Sequence, residues 1–219
     1  MEPSPVLPSV YQLRVVLRGI SPIIWRRILI RSDTTLAQLH HILQIAFGWS
    51  DEHLHHFHIY GKDYGSSGAD TRHVLLAEFR FHRGERFRYI YDYIAYWVCD
   101  LRLEAILPFD PQRFYPVCIG GNHASPPEDC PGPRAYLERL EQRLSNPPIE
   151  AMLVLADAVQ VLLDTEPDTS VREAIGDLDP IREAADCLET YQQFQPDRWS
   201  RGYTNAQLRA RAWPEGGKP

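Results

Sequence analysis

Between Val10 and Arg31 the chain alternates apolar and polar residues twice, interrupted by Gly19-Ile20-Ser21-Pro22. Successive side chains of an extended strand point to opposite faces. Tyr11, Leu13, Val15 and Leu17 therefore share one side, with Gln12, Arg14, Val16 and Arg18 on the other. The second run sets Ile24, Ile28 and Ile30 against Trp25, Arg27, Leu29 and Arg31. Two half-buried strands joined by a turn read as a hairpin, and its apolar face needs a second layer to cover it. The register adds a constraint, because it places Arg26 on the apolar side, where an unpaired charge is costly. A carboxylate partner for Arg26 is expected.

The covering layer follows at once. Thr35 and Gln38 have capping-box spacing, and Leu36, Leu39, Leu43, Ala46 and Phe47 keep a helical period until Gly48 offers a stop. Trp49 to Tyr60 reads as a third strand and holds four of the nine histidines. Alternation puts His53, His55, Phe57 and Ile59 on one side, and Leu54, His56, His58 and Tyr60 on the other. Glu85 to Tyr93 and Tyr96 to Ile106 alternate as two further strands. The order strand, strand, helix, strand, strand, strand predicts an α+β fold with a β-grasp-like mixed sheet.

A proline- and glycine-rich connection runs from Leu107 to Pro133. Beyond it the pattern is helical, with an apolar stretch over Ile149 to Leu163, a cap and first-turn proline at Asp179-Pro180, a cap at Thr204, and a linker over Asp164 to Asp177. The expected division is a core over 1–133 and a helical part over 134–219, packed on the core as one structural unit.

The net charge of −6 excludes bulk electrostatic binding of nucleic acid. It conceals a local asymmetry, since five arginines stand against one acidic residue before Asp33. Arg14, Arg18, Arg27 and Arg31 would surround Trp25 on the polar side of the hairpin. Arginine on an exposed strand is ordinarily a solvated face; the sharper reading is a surface for phosphates and stacked bases. Cys99, Cys118, Cys130 and Cys187 form no Cys-x-x-Cys pair, which argues against a zinc ribbon and for a reducing compartment. No apolar run has the length of a bilayer span, and the start lacks the pattern of a signal peptide. A cytoplasmic protein without a membrane partner is expected.

Several motifs together resemble one family. They are Trp25-Arg26-Arg27, Trp49 with His53-Leu54-His55-x-Phe57, Tyr91-Asp92-Tyr93 with Trp97, Pro126-Pro127-Glu128-Asp129, and Phe194-x-Pro196 with Trp199 and Asn205. This set resembles the plasmid pRiA4b ORF-3-like family, whose members occur on plasmids and as passenger genes of insertion sequences. The resemblance implies an α+β core and a mobile-element origin, and little about activity. The chain departs from the family pattern at Ile94, Ala95, Val98 and Cys99, where an acid and a histidine are usual. Arg26, Asp92, Trp49 and Trp97 are expected to form a structural cluster.

Two functional readings follow. In one, the chain is a non-catalytic accessory module binding nucleic acid or a protein partner through Arg14, Arg18, Trp25, Arg27 and Arg31, with no cofactor. In the other, His53, His55, Cys99 and Cys130 hold zinc, and Glu128 and Asp129 act as general acid and base in a metal-dependent hydrolase. The bland alternative for His53 and His55 is an anchor for the Pro-Pro-Glu-Asp loop. No complete catalytic motif is present, which favours the first reading.

Overall fold

The computed structural model describes residues 8–145, 147–166 and 169–211; the opening residues, on which the signal-peptide reading rests, lie outside them. The chain divides into two compact units, Met1–Leu137 with Pro196–Pro219, and Glu138–Gln195.

The first unit is built on a seven-stranded sheet. In chain order the strands are β1 (Val10–Leu17), β2 (Trp25–Arg31), β3 (His55–Ile59), β4 (Lys62–Gly65), β5 (Arg86–Tyr91), β6 (Trp97–Leu107) and β7 (Val117–Asn122). They lie side by side as β4-β3-β5-β6-β1-β2-β7, and every pairing is antiparallel. The fold is α+β, as expected, but the sheet is not mixed, so the β-grasp likeness has no parallel central pair to rest on. Short connections account for three of the six pairings, β1–β2, β3–β4 and β5–β6, because tight hairpins join only antiparallel strands. The β3–β4 turn uses Tyr60 and Gly61, both at positive φ, and the β5–β6 turn uses Asp92 and Tyr96 likewise. β7 lies inside the proline- and glycine-rich connection, and β4 in the glycine-containing segment after the third expected strand.

Helix α1 (Leu36–Phe47) carries the predicted capping box at Thr35 and Gln38, and ends on Gly48 in the left-handed conformation. It covers the face formed by Leu13, Val15, Ile28, Phe57, Tyr89 and Leu101, all buried. Helix α6 (Arg201–Ala210) lies beside α1 and against β7. Its cap is Ser200 rather than Thr204, which is buried inside the helix. Asn205 explains why α6 belongs to the first unit and not to the helical part expected over 134–219. Its side-chain amide accepts from the backbone N–H of Cys118 and donates to the carbonyl of Cys118, standing in for a missing strand neighbour on the edge strand β7.

The second unit is helical: part of α2 (Pro133–Ser145), then α3 (Ile149–Asp164), α4 (Val171–Ile175) and α5 (Asp179–Gln193), with α3 packed on α5. The stretch expected as a linker thus contains α4, capped by Ser170; residues 167 and 168 lie outside the described residues. The apolar stretch of α3 remains largely exposed at Met152, Leu153, Val159 and Leu163. Among the described residues no single helix is long and apolar enough to cross a membrane.

Arg26 is buried, with 1% of its surface exposed, on the face where the hairpin register places it. Its partner is not a carboxylate. Its guanidinium donates from Nε to the carbonyl of Ala46 at the end of α1, from Nη1 to the carbonyls of Trp25 and Asn122, and from Nη2 to the Ser125 hydroxyl. The rings of Phe47 and Trp199 lie 5.1 and 4.6 Å from its Cζ. Carbonyl dipoles and ring quadrupoles compensate the charge where no anion is at hand. Trp199 reaches this position over Gly121, where a Cβ would come within 2.7 Å of the indole. Burial still depresses the Arg26 pKa, to about 10.

Lysine has a point charge where Arg26 has a planar fork, so it cannot satisfy Ala46, Asn122 and Ser125 together. Arg26→Lys is expected to lower unfolding free energy by about 3 kcal/mol, the scale of orphaned buried acceptors and lost charge-assisted bonds. Urea unfolding followed by circular dichroism measures it, and a loss under about 0.5 kcal/mol would contradict this role.

Candidate functional site

Two surfaces of the first unit concentrate polar chemistry: a histidine cluster on the side of the sheet that bears α1, and an arginine field on the opposite side.

The cluster starts from His40, which occupies an inward position of α1 beside Leu36, Leu43 and Gln44. A polar side chain buried there must find partners. Its Nδ1 lies 2.8 Å from the Tyr89 hydroxyl and its Nε2 meets Oδ1 of Asp51. Gln44 donates to the same Tyr89 hydroxyl through Nε2, and its Oε1 accepts from the backbone N–H of Asp51. The four groups close a ring, and the ring assigns protons. Because Asp51 N–H requires the Gln44 oxygen, the Gln44 amide nitrogen must face Tyr89. The Tyr89 hydroxyl then gives its hydrogen to His40 Nδ1, leaving His40 Nε2–H for Asp51. His40 is accordingly neutral, in keeping with a pKa held down by burial. Asp51 adopts φ 68°, a left-handed conformation that aims its carboxylate back at α1.

His41, the next residue of α1, brings Nδ1 to 3.1 Å from the other Asp51 oxygen, Oδ2. This nitrogen is buried and has no hydrogen-bond partner. His55 lies parallel to the His40 ring at 3.5 Å between centroids. Burial first, and then the neighbouring His40, push its pKa down to about 4.

The residues expected to hold zinc are placed differently. His53 and His55 do lie on the inward side, but His53 packs edge-on against Tyr91 with its Nε2 3.9 Å from Asp92, whereas His55 stacks on His40. Cys99 is fully buried opposite Tyr89, its thiol pushed well above the usual range by burial. The Cys130 thiol points to the carbonyl of Gly132. These four do not converge; among the described residues the group with metal-holding geometry is His40, His41 and Asp51. The Pro-Pro-Glu-Asp loop is anchored by Glu128, which accepts from the Tyr91 hydroxyl and the backbone N–H of Ser50, rather than by the histidines. Trp49 stacks on Tyr91 beside that anchor. Asp92 accepts from the N–H groups of Ile94 and Ala95 and so shapes the β5–β6 turn, and Trp97 is core. Arg26, Asp92 and Trp97 therefore serve separate structural tasks.

His40 and His41 sit inside a helix whose apolar period and capping box already account for the segment, so no motif in the sequence marks them as a site. The available signal was His40 and Gln44, four residues apart, at the border of an apolar stripe.

On the opposite side of the sheet, the expected residues Arg14, Arg18, Trp25, Arg27 and Arg31 share one face. Arg27 forks onto Glu104, Arg31 onto Asp33, and Arg18 lies 3.4 Å from Asp100. Cross-strand pairing adds two arginines. Arg86 stands opposite Arg102, Arg102 opposite Arg14, and Arg14 opposite Arg27, so four arginines form one row over β5, β6, β1 and β2. Inter-strand spacing spreads this row over about 14 Å. Like charges directly opposed are unfavourable. Only Arg27 of the four has an ion pair within 4.0 Å among the described residues. Arg14 instead lies over the Trp25 ring, and its buried Nε has no hydrogen-bond partner. Charge is also partitioned along the chain. Glu138–Gln195 holds four arginines against thirteen acidic residues, −9, so the first unit, nineteen basic against sixteen acidic, carries +3.

Residues 9–160 match the family described as plasmid pRiA4b ORF-3-like protein. The chain belongs to that family. A curated relative, the uncharacterized protein y4hQ of Sinorhizobium fredii (strain NBRC 101917 / NGR234), is 31% identical over 144 residues, 62% of this chain and 74% of its own. A crystal structure of the protein of unknown function MM3350 from Methanosarcina mazei Go1 superposes with a TM-score of 0.63 at 26% identity, covering 90% of this chain and 98% of the other. The family match ends before the closing Trp199 and Asn205, which here complete the Arg26 pocket and the β7 edge.

The depressed pKa of His55 gives a signed pH effect. Below about 6.5, the usual imidazole value, the unfolded chain takes up a proton that folded His55 refuses until about pH 4. Stability is therefore level above about pH 6.5 and falls as pH drops toward 4. His55→Phe keeps a ring against His40 and removes the titration. Its denaturation midpoint, followed in EDTA-containing buffer, should decline less steeply across that window; an unchanged slope would contradict the assignment.

Proposed function

We propose that this protein is a nucleic-acid-binding accessory module, and that the arginine-bearing face of its sheet contacts the phosphate backbone. The observation that carries the reading is the row Arg86, Arg102, Arg14 and Arg27. Folding gains nothing from setting four like charges opposite one another, whereas a polyanion turns their repulsion into binding energy through counterion release. Arg88 and Arg18 flank Asp100, and Arg14 and Arg27 both lie against the half-buried Trp25 ring, which holds their guanidinium groups on this face. The excess positive charge of the first unit supports the same reading, as does the mobile-element setting that the family name records. An acidic protein partner would use the same charges without the strong salt dependence of a nucleic acid.

The test is fluorescence anisotropy with single- and double-stranded oligonucleotides over a series of salt concentrations. Each exposed arginine that neutralises a phosphate contributes close to one unit of slope in log K against log salt on duplex, and about 0.7 on a single strand. Arg86→Gln and Arg102→Gln are each expected to lower the slope by that amount without lowering thermal stability. Absence of salt-dependent binding by the wild type at low ionic strength, or slopes unaffected by both substitutions, would rule the reading out.

A further inference from the structure

His40, His41 and Asp51 present one ligand atom each, all within 4.8 Å of one another, on the side of the sheet away from the arginine row. We propose that these three residues form a mononuclear site for a divalent transition-metal ion of the zinc class, leaving at least one coordination position open. Two imidazoles and a carboxylate are a donor set of intermediate softness, which suits zinc, cobalt or iron better than calcium or magnesium.

The distances fit. Ligand atoms at bonding distance from a tetrahedral zinc ion stand about 3.4 Å apart. Asp51 places Oδ1 2.5 Å from His40 Nε2 and Oδ2 3.1 Å from His41 Nδ1, so a withdrawal of the carboxylate by under about 1 Å admits the ion. Adjacent helix residues project about 100° apart, which would normally send the two rings separate ways. The left-handed Asp51, at φ 68°, returns its carboxylate to the mouth between them. A carboxylate that only capped His40 would not need to face His41. The His41 nitrogen that faces Asp51 is buried and makes no hydrogen bond, a position that a metal bond would satisfy.

The outer groups are those a metal-bound histidine uses. Tyr89 sits on Nδ1 of His40, Gln44 fixes Tyr89, and His55 stacks flat on the ring, so the orientation of His40 is set before any ion arrives. Coordination through Nε2 would require the His40 proton on Nδ1, so the Tyr89 hydroxyl would have to turn its hydrogen away from His40 and accept from Nδ1 instead, a rearrangement that weakens binding. Arg211 exerts a positive potential on both rings and opposes the cation, so the site is weaker than one without that charge. His41 and Asp51, with side chains 31% and 36% exposed, give an ion access from solvent, whereas His40 is buried.

Isothermal titration of zinc chloride into chelator-treated, untagged full-length protein tests the proposal, with cobalt absorption spectra reporting ligand geometry. The wild type is expected to bind one equivalent. His41→Ala and Asp51→Asn should each weaken zinc binding at least about tenfold. Asparagine keeps an oxygen acceptor for His40 Nε2–H and tolerates the left-handed backbone of position 51, and His41 is part-exposed, so both variants should keep the native fold, which circular dichroism in EDTA checks. Arg211→Gln should tighten binding. The outward-facing pair His56 and His58 serves as the control, because His56→Ala with His58→Ala should leave the affinity unchanged. The proposal fails if the wild type binds no zinc, if His41→Ala and Asp51→Asn bind as the wild type does, or if removing His56 and His58 abolishes uptake. Failure of oligonucleotide binding would leave this result untouched, since the two surfaces share no residue.

Discussion

A buried guanidinium with no counter-anion among the described residues holds this fold together. Arg26 belongs to β2, yet its donors reach the last turn of α1 at Ala46, the end of β7 at Asn122 and the following loop at Ser125, while Phe47 and Trp199 close over its faces. Moving such a cation out of water is expensive, and the cost is offset only when the acceptors are all in place. That condition ties together segments far apart in sequence. It fixes where α1 ends, and hence where Gly48 turns the chain toward Trp49 and Asp51. It also requires the segment carrying Trp199, which crosses a β7 position that tolerates only glycine. The geometry of the histidine cluster thus depends on a residue that does not touch it.

The sheet separates two kinds of chemistry. The face under α1 is largely apolar but carries Arg26 and, toward β3 and β5, a closed polar ring of His40, Tyr89, Gln44 and Asp51; such a ring specifies geometry because any member left alone would be costly. The other face carries arginines in a pattern that local folding does not explain. Overall acidity hides this, because the acidic excess lies in Glu138–Gln195. Net charge described the average of two unlike units.

What could be read from the sequence was local. Alternation gave the faces of β1, β2 and β3, spacing gave the Thr35 capping box, and the hairpin register put Arg26 inside. What could not be read was long-range. The partner of Arg26 is a set of carbonyls, and carbonyls have no sequence signature. The arginine row exists only in the register of four strands, so Arg86 and Arg102 look ordinary until pairing sets them beside Arg14. β7 was obscured by its glycines, which are there for the indoles of Trp25 and Trp199. Four histidines lie close together between Trp49 and Tyr60, yet the side chains with converging geometry are two helical histidines and an aspartate; His55 is the stacking neighbour of one of them.

The central claim is that nucleic-acid recognition belongs to the outward face of the sheet and not to the histidine cluster. Nuclear magnetic resonance of the labelled protein, titrated with an oligonucleotide at low salt, tests it most directly. The account predicts shifts in the Nε–Hε signals of Arg14, Arg86 and Arg102 and in the Trp25 indole, with the imidazole signals of His40, His41 and His55 unmoved. Shifts confined to those imidazoles, with the arginine signals unchanged, would contradict it.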